Sequence, residues 1–465
     1  MELSHLNLLI PLKENSHLLH NTISQRSLKL STEESHQYKL CQSDSSQISS
    51  LDFNLFQKLS SIRAICKSAN DQISSLHLAD KELKSSNDKL LLTIMMTESC
   101  NFSCQYCNQG HNKKPLHISN SLISNVQSYI SALTPSPSSI EINWFGGEPL
   151  IRAESIIEAS TSIQSFSQSS NISYVSSIAT NGFLLTGDLS KRLHEAGVYL
   201  FQISIDGNRA DHDNSRFIKD GHSSYDVIIG NISRSLSICD SKILIRVNVD
   251  HRNVHNLKDL VDDLHLRHIL TDPKFSIYFS HIYDPSLNSL GDDQGMANHL
   301  LTPMQFADYQ FELNNYVLKK SGNVAVDLPT YQGSCIASHT NSFAIHANGD
   351  LFKCYIPISN KEESFGTLSS NGFLDFNREV FERWDSWSPF DSPYCSGCKL
   401  LGSCRGACRF NFVSSNYAEE EFKCPPSKLY AHEYIFSKAI SKGIVNSTDW
   451  DPDSSHTILP SLRFK

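Results

Sequence analysis

The sequence predicts an α/β protein built on a partial (β/α)6 TIM-type barrel. Short apolar runs rich in β-branched residues alternate with stretches whose apolar residues recur at helical spacing, which indicates repeated βαβ units and a parallel sheet. The predicted strands are Leu90–Met96, Ile140–Trp144, Ile172–Ile178, Tyr199–Ile205, Ile243–Val249 and Phe275–Ser280. The predicted helices are Ile118–Leu133, Ala153–Ser165, Leu189–Ala196, Tyr225–Cys239 and Leu257–Leu266. Because polar and glycine-rich segments follow consecutive strands, we expect the functional site at the carboxyl ends of the strands.

A small N-terminal unit, residues 1–88, precedes the predicted barrel of residues 89–283. Its apolar stretches Leu6–Leu12 and Ser27–Leu30 are expected to pair as strands, and Phe53–Ala69 has apolar residues at helical spacing. Strands followed by helices predict a small α+β, winged-helix-like module. A simple cap on the barrel fits the same pattern.

The composition of the chain changes after the predicted barrel. Residues 284–334 begin with a Gly-, Asn- and Asp-rich linker and continue with a predicted helix at Leu301–Leu318. Residues 335–430 contain seven of the 13 cysteines and few long periodic segments, so this unit is expected to need metal beside a small apolar core. Residues 431–465 are predicted to form a C-terminal helix and a tail.

Composition narrows the class of protein. The 465 residues have a formal net charge of −9, which disfavours binding to nucleic acid through phosphate contacts. No run reaches the roughly 18 apolar residues of a membrane span, and the first residues lack the basic start and cleavage site of a signal peptide. We therefore expect a cytoplasmic protein with no nucleic-acid or membrane partner. In that reducing compartment, the odd total of 13 cysteines favours metal or catalytic roles over paired disulfides.

Three cysteines lie close together directly after the first predicted strand. Cys100, Cys104 and Cys107 have the spacing C-x3-C-x2-C. Three thiolates on one loop can hold three irons of a 4Fe–4S cluster and leave the fourth iron free for another ligand. A structural zinc site usually takes four ligands. The trio therefore favours an iron–sulfur cluster.

The trio resembles the defining motif of radical S-adenosylmethionine (SAM) enzymes, in which an aromatic residue, here Tyr106, precedes the last cysteine. Further segments similar to that family's motifs follow the predicted strands in the family's order. They are Gly146-Gly147-Glu148-Pro149 after the second strand, Thr180-Asn181-Gly182 after the third, Ser204-Ile205-Asp206-Gly207 and then Arg216 after the fourth, and Asn248 on the fifth. Each turn alone is a weak signal, whereas the ordered set indicates the family.

The resemblance implies a chemistry and a set of contacts. Cys100, Cys104 and Cys107 would hold a 4Fe–4S cluster whose open iron binds SAM. Reductive cleavage of SAM would then give methionine and a 5′-deoxyadenosyl radical that abstracts hydrogen from a substrate. The segment with Glu148 would receive the SAM amino group, and Ser204 and Arg216 would approach its ribose or carboxylate. The implied SAM-binding residues are Tyr106, Gly146, Gly147, Glu148, Pro149, Thr180, Asn181, Ser204, Asp206, Arg216 and Asn248.

The seven later cysteines resemble the SPASM extension of radical SAM enzymes. Their spacing is Cys335-x13-Gly349-x4-Cys354, then Cys395-x2-Cys398-x5-Cys404-x3-Cys408, then Cys424. A pair of zinc ribbons or a disulfide cluster is the alternative, and the long segment around Gly349 disfavours both. Residues 342–355 are predicted to form a β-hairpin with Asn348-Gly349 at its turn.

The resemblance also divides these cysteines between two auxiliary 4Fe–4S clusters. Cys335, Cys354 and Cys408 would hold the first cluster. Cys395, Cys398, Cys404 and Cys424 would hold the second. The first cluster then lacks one cysteine ligand, and Asp327 or His339 could supply it. Gly402 and Ala407 depart from the family pattern, because many relatives have Pro and Gly there.

Enzymes with this extension mostly modify peptides or proteins. The resemblance therefore implies a maturase of a ribosomally made peptide that forms a thioether or carbon–carbon cross-link. Peptide epimerisation and formylglycine formation in sulfatases remain as alternatives. Tyr355 counts against the sulfatase reaction, because that family has Asp directly after the corresponding cysteine. The non-enzyme alternative is an iron–sulfur electron carrier or a peptide-binding scaffold.

The implied partners follow from that reaction class. One is a precursor peptide, whose leader the N-terminal module would bind by strand addition at a sheet edge. The other is an electron donor such as flavodoxin or ferredoxin. The isolated Cys41, Cys66 and Cys239 are expected to pack as small apolar residues.

Overall fold

The computed structural model describes most of the chain. The described residues are 1–104, 106–107, 109, 115–133, 135–218, 222–282, 299–321, 335–369, 374–413 and 423–451. Most of the predicted linker, Asp327 and most of the predicted C-terminal tail lie outside them. No helix among the described residues is long and apolar enough to cross a lipid bilayer.

The N-terminal unit consists of short strands followed by helices. Its strands are β1 (Glu2–Leu3), β2 (Asn7–Pro11), β3 (His17–Asn21), β4 (Arg26–Leu30) and β5 (Ile65–Cys66), and its helices are α1 (Thr32–Ser43), α2 (Phe53–Ser61) and α3 (Ala69–Ser85). The expected pairing of Leu6–Leu12 with Ser27–Leu30 is wrong, because β3 lies between β2 and β4 and pairs with both. The helix predicted over Phe53–Ala69 ends at Ser61, and Ile65 instead pairs with Leu3.

The central unit is a six-stranded parallel sheet covered by helices. Its strands are β6 (Lys89–Met95), β7 (Ser139–Phe145), β8 (Ser173–Thr180), β9 (Val198–Ser204), β10 (Lys242–Val249) and β11 (Phe275–His281). Its helices are α4 (Asn120–Ala132), α5 (Ala153–Ser169), α6 (Gly187–Glu195), α7 (Arg209–Ser215), α8 (Tyr225–Ile238), α9 (Leu257–Leu266) and α10 (Pro303–Ser321). All six predicted strands are confirmed. Their order in space follows the chain, which is the order of a barrel.

The two faces of this sheet differ in chemistry. Aliphatic residues such as Ile142, Ile178, Ile203 and Ile245 on the outer face have no exposed surface and pack under the helices. The alternate positions form what we call the inner face, which is polar and partly exposed. It includes Asn143, Ser177, Gln202, Ser204, Arg246 and Tyr278. Strand alternation thus builds a stable outer layer and leaves a polar space inside.

The cysteine-rich unit extends the central sheet. Its strands are β12 (Phe343–Ile345), β13 (Asp350–Phe352), β14 (Gly366–Leu368) and β15 (Leu374–Phe376), and its helices are α11 (Arg378–Asp385), α12 (Leu401–Cys404), α13 (Phe410–Val413) and α14 (Ala431–Ser441). The predicted hairpin is confirmed as β12 and β13, with Gly349 at a φ of 98° in the turn. Strand β12 pairs in parallel with β6, so one sheet joins the two units.

The N-terminal sheet packs against the cysteine-rich unit. Leu8, Ile10 and Leu18 share an apolar core with Leu400 and with residues of α14. The Thr22 hydroxyl donates a hydrogen bond to the Lys399 carbonyl at 2.8 Å, and Lys29 pairs with Asp449 at 2.7 Å. The first and last parts of the chain are therefore held together beside the cysteine loop that begins at Cys395.

Candidate active site

The Gly146-Gly147 turn holds the loop that carries the first cysteine trio. The Gly147 amide donates to the Thr97 carbonyl at 2.8 Å, and the Glu148 amide donates to the Ser99 carbonyl at 2.8 Å. A Cβ on Gly146 would lie 2.4 Å from the Thr97 oxygen, and one on Gly147 would lie 2.4 Å from the Ser99 oxygen. Glycine is required here because backbone approaches backbone directly.

Glu148 connects this turn to the end of β8. Its carboxylate has no exposed surface and accepts hydrogen bonds from the Thr180 hydroxyl at 2.7 Å and the Asn181 amide at 2.8 Å. It also accepts from the Leu150 amide at 3.0 Å, at the start of a short 3-10 helix that begins at Pro149. Burial raises the pKa of Glu148 despite these bonds. The Asn181 side chain in turn donates to Asn101 at 2.8 Å, next to Cys100.

Four predicted site residues from distant parts of the chain form one hydrogen-bonded network. The Tyr106 hydroxyl donates to the Asp206 carboxylate and accepts from Arg216 Nη1 at 2.5 Å. Asn248 donates to the Tyr106 hydroxyl at 3.1 Å and to Asp206 at 3.0 Å. Asp206 is also paired with Arg216, with 3.5 Å between oxygen and nitrogen. The network joins the cysteine loop to the ends of β9 and β10.

Burial sets the electrostatics of this network. It raises the pKa of the Cys104 thiol to about 11, although the Arg216 cation opposes that shift. It also raises the pKa of Tyr106, so the phenol stays protonated and can donate to Asp206. Burial disfavours the Arg216 cation, but the charges of Cys104, Tyr106 and Asp206 more than offset this and raise its pKa. Arg216 thus supplies a fixed positive charge beside the trio.

A cavity of about 220 Å³ opens beside the network. Its lining is Tyr106, Asp206, Asp211, Asn214, Ser215, Asn248, Asp250, Arg252, Asn253 and Ile282. On the inner face of the sheet, Ser204 lies opposite Arg246 in the strand register, and Arg246 lies opposite Tyr278. Polar groups therefore continue from the cysteine loop into the interior.

The seven later cysteines form two groups. Cys395, Cys398, Cys404 and Cys424 line one cavity together with apolar residues such as Leu400 and Leu401. Burial, together with the smaller effect of the neighbouring thiols of that cavity, raises the pKa of Cys404 to about 12. The second group is Cys335, Cys354 and Cys408. Burial raises the pKa of Cys354, and charges on Cys408 and Cys335 add to that effect.

Comparison with known proteins identifies the central unit. The model of the radical SAM superfamily matches residues 94–264. These residues form a radical SAM domain. They include the trio, the Gly-Gly turn, the Tyr106 network, the end of β6 and the four strands β7 to β10 in full.

Individual relatives are more distant. The radical SAM cyclopropyl synthase TigE of Paramaledivibacter caminithermalis is 24% identical over 345 residues, which cover 68% of this chain and 67% of that protein. The serine-type anaerobic sulfatase-maturating enzyme of Klebsiella aerogenes is 26% identical over 136 residues, so the chain spans only about a third (33%) of its length. A solved structure of anSMEcpe with bound AdoMet and Kp18Cys peptide shares the fold, with a TM-score of 0.56 and 16% identity. That match covers 77% of this chain and 99% of the solved chain.

The residues around the trio fit the SAM-binding 4Fe–4S cluster that the radical SAM domain implies. The donor set is three cysteines on one loop, and the buried Arg216 cation lies beside them to offset thiolate charge. Among the described residues, no three His, Cys, Asp or Glu side chains converge as they would around a single metal ion. A cubane takes each thiolate on a different iron, so its ligands are spread more widely.

The two departures from the SPASM pattern have local explanations. A Cβ on Gly402 would lie 2.7 Å from the Thr22 hydroxyl, so the packing of the N-terminal sheet leaves no room for a side chain or a proline ring. Ala407 has a φ of 47°, a left-handed conformation that explains a glycine at this position in relatives.

One residue of the hydrogen-bonded candidate site, Asn253, was not predicted from the sequence. Asn253 donates to the Asp206 carbonyl at 2.8 Å and to the Asn248 carbonyl at 2.7 Å, so it locks the ends of β9 and β10 together. The polar run His251-Arg252-Asn253 directly after the fifth strand was the available signal. His339, the suggested cluster ligand, is buried, and its carbonyl accepts from Lys353 at 2.5 Å.

Proposed function

We propose that this protein is a radical SAM peptide maturase with two auxiliary 4Fe–4S clusters. The observation that carries the proposal is the polar inner face of the sheet. It is bordered by the trio and the Tyr106 network and, on the side of the cysteine-rich unit, by Tyr355, the residue next to Cys354. A substrate held there lies between the SAM site and the first auxiliary cluster.

The surroundings of Tyr355 support a substrate position between the SAM site and the first auxiliary cluster. Its ring packs against Phe145 of β7 with 5.4 Å between ring centroids, yet 36% of its surface is exposed. An aromatic residue in contact with the central sheet and still exposed faces an open space. Arg246 and Tyr278 of the inner face, and also Cys354, lie close enough to Tyr355 to act electrostatically on its hydroxyl. The cysteine-rich unit thus contributes a wall of the space in which the substrate would react.

The cluster and SAM would supply the radical that removes a hydrogen atom from the substrate. The protein's own residues would bind and orient. Arg216 and Ser204 offer a cation and a hydroxyl to the carboxylate and ribose of SAM, and Asn248 holds the Tyr106 hydroxyl in place. Glu148 fixes the Gly146-Gly147 turn, whose backbone and carboxylate would receive the SAM amino group.

A peptide substrate is supported by what similar proteins are named for. A sulfatase-maturating enzyme acts on a protein, and the solved structure with this fold contains a bound peptide. The relative named a cyclopropyl synthase closes a ring, which requires a carbon–carbon bond. We therefore propose a thioether or carbon–carbon cross-link as the product. Tyr355 counts against formylglycine formation, because a phenol stands where that family has a carboxylate.

The two cysteine groups are proposed to hold one auxiliary cluster each, as electron acceptors for the oxidative closure of a cross-link. Cys395, Cys398, Cys404 and Cys424 provide a complete set of four ligands. Cys335, Cys354 and Cys408 provide three, so one iron stays open for a substrate group or a further protein ligand. A ferredoxin or flavodoxin is the proposed electron donor in the cytoplasm.

The N-terminal sheet is proposed to bind the leader of the precursor. Strand β4 is the outer strand of the β2–β3–β4 sheet and pairs only with β3 among the described residues. An extended peptide could add to its free edge. Because this sheet packs on the cysteine-rich unit, a leader bound there would be anchored close to the auxiliary clusters.

The first experiment is SAM cleavage by the anaerobic, reconstituted and reduced protein. We expect 5′-deoxyadenosine and about twelve irons per chain from three cubanes. Replacement of Cys100, Cys104 and Cys107 by Ala should abolish the product and remove about four irons. The matched control is Cys239→Ala, a buried cysteine outside all three groups. A reconstituted wild type that forms no 5′-deoxyadenosine would refute the catalytic proposal.

The second experiment identifies the substrate. The protein is co-expressed anaerobically with each short open reading frame beside its gene, and the peptides are analysed by mass spectrometry. Loss of two hydrogens supports a cross-link. An unchanged mass with deuterium taken up from solvent would instead indicate epimerisation.

A further inference from the structure

A buried lysine lies in direct contact with the four-cysteine cavity. Lys428 is 8% exposed and its ammonium donates a hydrogen bond to Cys424 Sγ at 3.5 Å. It follows Cys424 by four residues and lies in a 3-10 helix, Pro426–Tyr430.

Among the residues that the structure describes, none around Lys428 is an acidic partner for it. The cavity lining contains four thiols, two lysines and Tyr394, with apolar residues in between and no carboxylate. Among the described residues, no carboxylate lies within ion-pair distance of Lys428. An ammonium buried without a counter-ion is unfavourable. Four thiolates carrying a cluster provide that counter-ion.

We propose that Lys428 is a tuning residue that raises the reduction potential of the cluster held by Cys395, Cys398, Cys404 and Cys424. This inference rests on the proposed function. A cubane with a 2+ core and four thiolates carries a charge of −2, and one-electron reduction takes it to −3. In an apolar cavity that added charge is strongly disfavoured, so a nearby cation and an N–H···S bond favour the reduced state. Lys428 supplies both and so favours electron transfer to this cluster.

The test is EPR-monitored redox titration of the full-length chain with its auxiliary clusters. Cys100, Cys104 and Cys107 are replaced by Ala in every sample, so that only the auxiliary clusters contribute. In this background we compare Lys428 with Lys428→Met, Lys428→Gln and Lys428→Arg. The neutral variants should shift one of the two potentials to more negative values, by about tenfold in the reduction equilibrium or about 59 mV for one electron. Lys428→Arg keeps the positive charge, so its potential should lie close to that of the chain with Lys428.

The matched control is Lys423→Gln. Lys423 lines the same cavity, but its ammonium lies over the Tyr394 ring at 4.1 Å and forms a cation–π contact there. Removing its charge should move the potential less than removing Lys428. Equal shifts for the two lysines would overturn a specific role for the contact with sulfur.

Iron content separates the remaining outcomes. Unchanged potentials in neutral variants that keep about eight irons per chain refute the proposal. Loss of about four irons in both neutral variants also refutes it, because Lys428 would then be needed for cluster binding. If the parent protein itself holds no auxiliary iron, the proposed function fails in this part, independently of any lysine variant.

Discussion

The Gly147→Ala variant tests whether the Gly-Gly turn positions the catalytic cysteine loop. The added Cβ would lie 2.4 Å from both the Glu98 and the Ser99 carbonyl oxygens, which are backbone atoms that cannot move aside alone. Overpacking of this kind costs about 1–3 kcal/mol. If the loop shifts to relieve it, the two 2.8 Å bonds to Thr97 and Ser99 are lost as well, at about 1 kcal/mol each. The total is a loss of about 3–5 kcal/mol in the free energy of unfolding.

The matched control for this variant is Gly397→Ala. Nothing lies within 4 Å of a Cβ on Gly397, so the same chemical change meets open space. We expect Gly147→Ala to lower the denaturant midpoint, lose about four irons per chain and stop 5′-deoxyadenosine formation. Gly397→Ala should leave the denaturant midpoint and 5′-deoxyadenosine formation unchanged. If both variants retain iron and SAM cleavage equally, the turn does not position the trio.

Three further predictions concern other contacts of the structure. Asp206→Asn removes the partner of the buried Arg216, so urea unfolding should show a loss of about 3–5 kcal/mol in the free energy of unfolding. Its control, Asp226→Asn, breaks an exposed pair with Arg209 and should cost at most about 1 kcal/mol. Burial lowers the pKa of His212 in the folded chain to about 4. As the pH falls, the unfolded chain, in which this histidine keeps its ordinary pKa, therefore takes up a proton before the folded chain does. The free energy of unfolding should therefore fall by about 2 kcal/mol between pH 7 and pH 5, with a smaller slope in His212→Gln; equal slopes would contradict this. Gly402→Ala should destabilise the chain by about 1–3 kcal/mol because its Cβ meets Thr22, and a wild-type midpoint would contradict that packing.

The central sheet could be predicted from sequence because its signal is local. Each strand is seven or eight residues long and buries alternate positions, most of them aliphatic, against the helices. The predicted strand ends differ from the structure by at most two residues. Strand β3 was missed because its sequence, HLLHN, contains His17 and His20, which suggest a polar connection. Both histidines are nevertheless buried, because the strand lies in the middle of its small sheet.

The sequence predicted residues of the candidate site but not the hydrogen bonds between them. The resemblance to radical SAM enzymes indicated Tyr106, Asp206, Arg216 and Asn248 in separate motifs. No local sequence pattern predicts that the Tyr106 phenol links the other three residues. Asn253 was missed because an asparagine after a strand is indistinguishable from an ordinary turn residue until its carbonyl partners are known. The pairing of β12 with β6 joins residues about 250 positions apart in the sequence, and no pattern in either strand specifies its partner.

That pairing has a consequence for engineering the protein. A chain shortened before the cysteine-rich unit would leave β6 with a row of unpaired backbone groups along Leu92–Ile94, in one of the most apolar strands of the molecule. Unprotected strands of this kind recruit other chains into intermolecular sheets. We therefore expect the isolated radical SAM domain to aggregate on expression even where it folds, because the edge of β6 stays unpaired. A soluble shortened form would need β12 retained, or a charged residue introduced along β6.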